Sequence, residues 1–249
     1  MPEGLRLAIG LLTVVPVGRP RAVGRPTAGR AMLWAPGVGL LLGLVGAGVM
    51  RASLAVGHPR PLAAALAIGA LAALTRGLHL DGLADTADGL GSGRPSAEAL
   101  AVMRSGDVGP FGVTAVVLAL VCQTFALAAA GPWALVVAVP TGRLAVTWAC
   151  RPGVPAARPN GLGALVAGTV RGPAAAALTL LVALGAAGAV WLGAGRPPWL
   201  GPVAVLAALV VADLLLRRCV SRLGGVTGDV LGAVVEVATT VVLVVLATR

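Results

Sequence analysis

Charged side chains and aromatic rings are scarce in this sequence of 249 residues. Charged residues make up 11 % of the chain, lysine and tyrosine are absent, and there are two phenylalanines. A soluble domain carries roughly a quarter charged residues, because its surface faces water. The shortage excludes an ordinary soluble domain. Together with a mean hydropathy of +0.96, it indicates that the lipid bilayer surrounds this protein.

The scarcity of acids leaves a formal net charge of +10. In a soluble protein such a charge would favour nucleic acid as a partner. Here the arginines stand singly or in small groups between apolar runs, and the chain has no tyrosine and only two phenylalanines for base stacking, so no nucleic-acid binding is predicted. The three cysteines, Cys122, Cys150 and Cys219, lie too far apart for a metal site and are expected to be buried as small apolar side chains.

Long apolar runs dominate what remains. Seven of them approach the length of about 20 residues that a membrane-spanning helix needs, and they cover residues 31–50, 61–78, 110–130, 132–150, 173–194, 198–216 and 229–247. They predict an all-α, polytopic membrane helical bundle in a single domain, residues 1–249. A shorter apolar stretch, Leu7 to Val15, predicts a re-entrant or interfacial N-terminal element.

The arginines predict the orientation of the bundle. Fourteen lie in the N-terminal segment or after the second, fourth and sixth spans, whereas four lie on the other side, and Arg143 lies inside a span. Because cytoplasmic connections are enriched in arginine and lysine, this bias places the N-terminus in the cytoplasm and the C-terminus outside. The bias counts Arg19 on the cytoplasmic side and Arg249 on the other.

Acidic residues are rare, so their clustering after the second span is informative. Asp81, Asp85 and Asp88 fall within the segment Leu78 to Leu90 at spacings of four and three, which on a helix puts them on one face. Three such carboxylates repel each other unless a cation lies between them. Hard oxygen ligands suit Mg²⁺, which commonly shares its coordination with substrate phosphates. Gly82 and Gly89 would let a bulky ligand approach. A solvated acidic face is the alternative, although Leu, Ala and Thr occupy the intervening positions.

A second cytoplasmic element, residues 224–229, runs into the last span. Its glycines, with Thr227 and Gly228, would present backbone N–H groups to a phosphate. Asp229 is either a further metal ligand or a helix N-cap. Glu236, two turns inside the span, is costly to bury and is therefore expected to be functional. Asp213 is expected to pair with Arg217 at i,i+4.

Further candidate side chains lie near these motifs. Arg158, followed by Asn160 in a Pro/Gly turn, is a candidate phosphate clamp. Arg143 needs an anionic partner inside its span and is a second candidate. His79 is either structural or a ligand. Asp107 either joins the acidic site or neutralises Arg104.

In this order the elements resemble the cobalamin synthases, also called adenosylcobinamide-GDP ribazoletransferases, over nearly the whole chain. The resemblance is carried by Leu12-Thr13 with Pro16, residues 36–39, His79 to Asp85 with Asp88-Gly89, Met103, Gly109-Pro110-Phe111-Gly112, Ala157-Arg158 with residues 161–163, and residues 224–229. One departure follows Met103, where the family commonly has a basic residue, Asp, Ser and Arg. This chain instead has Arg104-Ser105-Gly106-Asp107.

The resemblance implies a Mg²⁺-dependent phosphotransferase of the bacterial inner membrane. The 3′-hydroxyl of α-ribazole, or of its 5′-phosphate, attacks the cobinamide-linked phosphoryl group of adenosylcobinamide-GDP, and GMP leaves. The metal ligands would be Asp81, Asp85, Asp88 and Asp229. Asp88 is preferred as the base, and Arg158 and Arg143 would neutralise GMP. The remaining substrate contacts would come from His79, Gly82, Gly89, Arg104, Asn160, Thr227 and Gly228. A homo-oligomer, or an association with other enzymes of cobalamin assembly, stays open.

Two other classes of membrane protein also use acidic residues in or near the bilayer. A CDP-alcohol phosphotransferase also uses spaced aspartates and Mg²⁺, but its motif has Ala-Arg three residues after Asp-Gly, whereas Asp88-Gly89 is followed by residues 90–93, Leu-Gly-Ser-Gly. An ion-coupled transporter usually places its acids near the bilayer midplane in repeated halves. No internal repeat is visible in this chain.

Overall fold

The computed structural model describes residues 1–18 and 20–248, so Arg19 and Arg249 of the orientation count lie outside the described residues. The described residues form eleven α-helices: α1 Glu3–Leu12, α2 Arg25–Ala55, α3 Arg60–Leu74, α4 Leu78–Gly91, α5 Ser96–Val102, α6 Pro110–Ala130, α7 Trp133–Ala149, α8 Gly161–Val166, α9 Gly172–Ala194, α10 Leu200–Leu223 and α11 Gly228–Ala247. The predicted all-α, polytopic helical bundle is confirmed.

Proline and glycine mark the ends of several helices. Proline stands in the first turn of α2, α3, α6 and α9, where its missing N–H would have had no partner within the helix. Gly195 and Gly224 end α9 and α10 in the left-handed conformation that glycine adopts without strain. The chain turns tightly at Gly131 and Pro132, because α6 ends at Ala130 and α7 begins at Trp133.

The predicted number of about seven spans is not confirmed. By length and composition, α2, α6, α9 and α11 can each cross a membrane, and α3 with α4 gives a fifth span if the bent pair is counted as one. Helix α7 is apolar but has only 17 residues. Leu180, Leu181 and Leu184 of α9 are more than half exposed. An outward-facing row of leucines is typical of a helix that faces lipid.

The predicted span 61–78 is wrong at its C-terminal end. Helix α3 stops at Leu74, and the chain turns by 89° into α4, so the acidic motif begins a new helix. Arg76 has a positive φ of 56° in this turn, and its guanidinium donates to the carbonyls of Gly10 and Leu11 at the end of α1. Arg76 therefore caps the C-terminal end of α1, whose last carbonyls have no partner within the helix, and ties α1 to the break.

Helix α7 lies at the centre of the bundle. Its residues 137–147 are all buried, and α2, α9, α10 and α11 pack around it. Small residues permit this packing: a Cβ on Gly43 of α2 would lie 2.5 Å from the Leu135 carbonyl oxygen of α7. Close backbone approach between small residues is the usual way in which helices associate within a membrane.

Candidate active site

The three carboxylates of the acidic helix α4 differ in exposure. Asp81 is exposed, Asp85 is partly buried and Asp88 is only 6 % exposed. The charges of Asp81, Asp229 and Asp88 act on the Asp85 carboxylate, and Arg158 is the opposing positive charge. The carboxylates that the sequence grouped by spacing do lie near each other, and Asp229 of α11 joins them.

Asp88 has a different environment from the other carboxylates. Its two oxygens accept the backbone N–H groups of Gly109 at 2.7 Å and Gly112 at 2.9 Å. A Cβ on either glycine would collide with this carboxylate, which explains the Gly109-Pro110-Phe111-Gly112 motif. Asp88 thus accepts two backbone N–H groups at the start of α6 that have no partner within the helix. Its negative charge also lies at the positive end of that helix's dipole, which is a favourable position. This placement favours a structural role over the predicted roles of metal ligand and base.

We expect Asp88→Asn to destabilise the protein. The amide retains one acceptor oxygen but turns an NH₂ group toward a backbone N–H, and each hydrogen bond to a charged group contributes roughly 1.5–3 kcal/mol. The thermal unfolding midpoint in detergent should fall clearly. Asp85→Asn is the matched control and should unfold near the wild-type midpoint. An unchanged midpoint for Asp88→Asn would exclude the capping role.

Asp229 enters the site from the start of α11. The hydroxyl of Thr227 caps this helix by accepting the N–H of Val230 at 3.2 Å, and it donates to the Asp229 carboxylate at 3.1 Å. The cap is therefore Thr227, and the N-cap alternative for Asp229 does not hold. A Cβ on Gly82 of α4 would lie 2.7 Å from the Asp229 carbonyl oxygen. The two helices cross in backbone contact, which brings Asp229 toward the acidic face of α4.

Arg158 is brought to the same place by a pairing of two loops. Val226 N–H donates to the Pro155 carbonyl at 2.9 Å, and Ala157 N–H donates to the Val226 carbonyl at 3.0 Å. Gly225 has a φ of +158°, and any Cβ there would collide with the residue 155–157 backbone, so glycine is required for this approach. The loop before α8 is thereby fixed beside the N-terminus of α11.

The Arg158 side chain reaches across to α5 and to the carboxylates. Its Nη2 donates to the Leu100 carbonyl at 2.8 Å. Partial burial, and then the charge of Arg104, lower the pKa of Arg158 below its ordinary value, while Asp229 and Asp85 oppose this shift. An arginine remains protonated at neutral pH regardless. The site therefore combines carboxylates from two helices with two arginines, Arg158 and Arg104.

The other predicted contact residues divide into two groups. Arg104 and Asn160 are exposed, Gly228 is partly exposed beside Leu162, and Thr227 is the helix cap already described. Gly82 and Gly89 of α4 do not leave the open space for a ligand that was predicted. The backbone of α11 fills the space beside Gly82, and a Cβ on Gly89 would lie 2.6 Å from the Met103 side chain. These glycines serve helix packing. Asp107 is exposed in the loop after α5.

His79 and Arg143 lie inside the bundle rather than on this surface. They are 4 % and 5 % exposed, and Arg143 Nη2 lies 3.4 Å from His79 Nδ1. The charge that acts on Arg143 is that of Glu236, and the positive charge that acts on Asp85 is that of Arg158. This placement does not support the predicted contacts of Arg143 with GMP and of His79 with substrate. It does supply the anionic neighbour that Arg143 was expected to need.

Gln123 of α6 is a polar residue that the sequence reading missed. It is 4 % exposed, and its amide donates to Glu236 at 2.8 Å and to the Thr240 hydroxyl at 3.0 Å. The signal in the sequence was a single amide within an apolar run, since such a group inside a span needs a partner. The predicted pair of Asp213 and Arg217 is confirmed at 2.6 Å, and Arg151 joins it at 2.5 Å.

No preformed metal cage is present in the described part of the chain, where no three His, Cys, Asp or Glu side chains converge closely enough to hold an ion. The donor set is nevertheless of the kind that suits a hard divalent cation, because Asp81, Asp85 and Asp229 offer only carboxylate oxygens. Mg²⁺ is usually held by one or two carboxylates together with water and substrate phosphates, so it does not need a full protein cage.

Fold and site together define a polytopic membrane helical bundle with a mixed carboxylate–arginine site at one end. The chain belongs to the Cobalamin-5-phosphate synthase family, whose model matches residues 4–247. A relative from Nocardioides sp. is 45 % identical over 251 residues, covering 100 % of both chains. A relative from Frankia casuarinae is 44 % identical, covering 97 % of this chain and 93 % of its own. Both are named adenosylcobinamide-GDP ribazoletransferase, and the resemblance predicted from the motifs is confirmed. No solved structure matches the chain.

Proposed function

We propose that this protein is an adenosylcobinamide-GDP ribazoletransferase that joins α-ribazole, or its 5′-phosphate, to adenosylcobinamide-GDP and releases GMP. The observation that carries the proposal is the meeting of Asp85, Asp229 and Arg158 from three separate segments, in a chain of the family just named. Transfer of a phosphoryl group requires positioning and neutralisation of charge more than covalent chemistry. Carboxylates for a cation and an arginine for phosphate oxygens meet both requirements.

The carboxylates Asp81, Asp85 and Asp229 would hold Mg²⁺. When bound, the cation would neutralise the diphosphate of adenosylcobinamide-GDP and polarise the phosphoryl group under attack. Two carboxylates facing one another on packed helices repel, and a shared cation relieves this repulsion. Asp88 is left out of the ligand set, because both of its oxygens already accept backbone N–H groups.

Arg158 would bind the phosphate oxygens of the departing GMP. Its Nη2 donates to the Leu100 carbonyl, and its charge acts on Asp229 and Asp85 in the site. A planar guanidinium with several N–H donors matches phosphate oxygens in geometry as well as in charge. Arg104 adds a second positive charge close by.

The site would face the cytoplasm at the inner membrane. Three connections rich in arginine meet there: the Ser96 hydroxyl of α5 bonds the Leu223 carbonyl at the end of α10, and Ala156 pairs with Val226. Arginine-rich connections are typical of the cytoplasmic side. This orientation places the N-terminus on the same side and the C-terminus outside.

The test supplies detergent-purified protein with Mg²⁺, adenosylcobinamide-GDP and α-ribazole, and follows GMP and the corrinoid product together. We expect equal amounts of both, and none when EDTA removes the metal. Parallel reactions receive a CDP-linked lipid donor with an alcohol. Release of CMP there, without GMP from the corrinoid substrate, would replace the proposal by a CDP-alcohol phosphotransferase. α-Ribazole and its 5′-phosphate are compared in the same assay.

A further inference from the structure

A small polar cavity lies within the apolar bundle, between α3, α6, α7 and α11. Its volume is about 40 Å³, and its polar lining comes from Thr75, Gln123, Arg143, Glu236 and Thr239. The rest of the lining is apolar, mainly leucine. Ionisable groups this deep in a membrane bundle are costly and usually have a function.

Two polar atoms of the residues that line this cavity lack partners. Among the described residues, Arg143 Nε and Thr239 Oγ1 are buried without a hydrogen-bond partner. The charges of Arg143 and Glu236 act on each other. Among the described residues, however, these two side chains do not form an ion pair within 4 Å. A buried cation and a buried anion that only approach each other leave part of their desolvation cost uncompensated.

The cavity has the size and the chemistry to hold water. A water molecule needs about 10–15 Å³ of such space and two to four polar partners. A volume of about 40 Å³ therefore admits roughly one to three molecules. Water there could accept from Arg143 Nε, donate to Glu236 and bond the hydroxyl of Thr239.

Packing contacts at the crossing of α4 and α11 link the residues around the cavity to the site. His79, the neighbour of Arg143, lies at that crossing, since a Cβ on Gly232 would be 3.2 Å from the His79 Cα. Gly82 contacts the same stretch of α11 one turn later. Asp85 and Asp229 stand within a turn of these contacts, so a shift at the crossing changes the separation of their carboxylates.

We propose that water in this cavity links Arg143 to Glu236, and that the linked pair holds α7, α11 and, through His79, α4 in the register that the transfer reaction needs. Arg143 is then a positioning residue that does not touch substrate. This inference deepens the proposed function and rests on it. If Arg143 contacted substrate instead, its variants would bind substrate more weakly and their KM would rise.

The test is a double-mutant cycle with Arg143→Gln and Glu236→Gln. Each single change leaves one buried charge alone, and we expect kcat to fall about 10–100-fold with KM within about twofold of wild type. The double variant contains neither charge and should recover at least about tenfold of the lost kcat. A raised KM in Arg143→Gln with no recovery in the double variant would show direct substrate contact and overturn the proposal.

Thr239→Val supplies a second test that changes no charge and keeps nearly the same shape. It removes a hydroxyl that the bound water would use, and we expect kcat to fall a few-fold with KM unchanged. Wild-type kcat and unfolding midpoint in this variant would exclude the water link, even if the charge variants fail to fold. If the wild type releases no GMP, the proposed function fails. The double-mutant cycle is then measured by the unfolding midpoints of the variants. Additive shifts of the midpoint for Arg143→Gln and Glu236→Gln would overturn the coupling between the two residues.

Discussion

Asp85→Asn should lower the rate of GMP release by about 10²–10³-fold, which is the usual effect of removing a group that stabilises charge in the transition state. The amide keeps the size of the side chain but loses the charge that would hold the cation. Asp85 is partly buried among Asp81, Asp229 and Arg158, so its loss affects the centre of the site. Initial rates of GMP release at saturating Mg²⁺ and both substrates measure this effect.

Glu98→Gln is the matched control for Asp85→Asn. Glu98 is an exposed acid in the first turn of α5, the helix that follows α4, so the change removes one negative charge from a nearby segment without entering the site. We expect its rate to stay within about twofold of wild type, because exposed charges contribute little. Wild-type turnover in a well-folded Asp85→Asn protein would remove Asp85 from the metal site.

Arg158→Gln should lower kcat/KM for adenosylcobinamide-GDP on the order of a hundredfold, with a rise in KM, because the guanidinium would contact the diphosphate in the ground state as well as in the transition state. Arg158→Lys should recover only part of this loss, since an ammonium lacks the planar fork of donors. Steady-state kinetics with the corrinoid substrate varied would measure both effects.

The control for Arg158 is Arg171→Gln. Arg171 is exposed just before α9 and serves as a charge-matched change away from the site. Its kinetics should match those of the wild type. If Arg158→Gln shows wild-type KM and kcat, Arg158 serves only to hold the Leu100 carbonyl, and the phosphate contact is excluded.

Local signals in the sequence predicted the bounds of several helices closely. The range 110–130 coincides with α6, because Pro110 favours the first turn and Gly131 ends the helix. The ranges 173–194 and 229–247 differ from α9 and α11 by one residue at the start. Clustering of rare acids within one apolar chain likewise predicted the carboxylates that meet beside Arg158.

Contacts between distant segments could not be read from spacing. At the 89° turn after Leu74, Arg76 caps α1 through a contact across more than sixty residues. Asp88 shares a helix face with Asp85, but its carboxylate is engaged by the backbone of α6. In the sequence, Gly89 indicates space for a ligand beside α4, but the Met103 side chain fills that space. Periodicity identifies a helix face, whereas the packing partner of that face depends on the tertiary fold.

Binding of Mn²⁺ in place of Mg²⁺, followed by electron paramagnetic resonance, tests the metal-dependent site most directly. Purified wild type, Asp85→Asn, Asp229→Asn and the Glu98→Gln control would each be titrated with and without adenosylcobinamide-GDP. We predict bound Mn²⁺ that increases with the substrate in the wild type and the control and is lost in both aspartate variants. Substrate-dependent Mn²⁺ binding that survives both substitutions would contradict a metal site between α4 and α11.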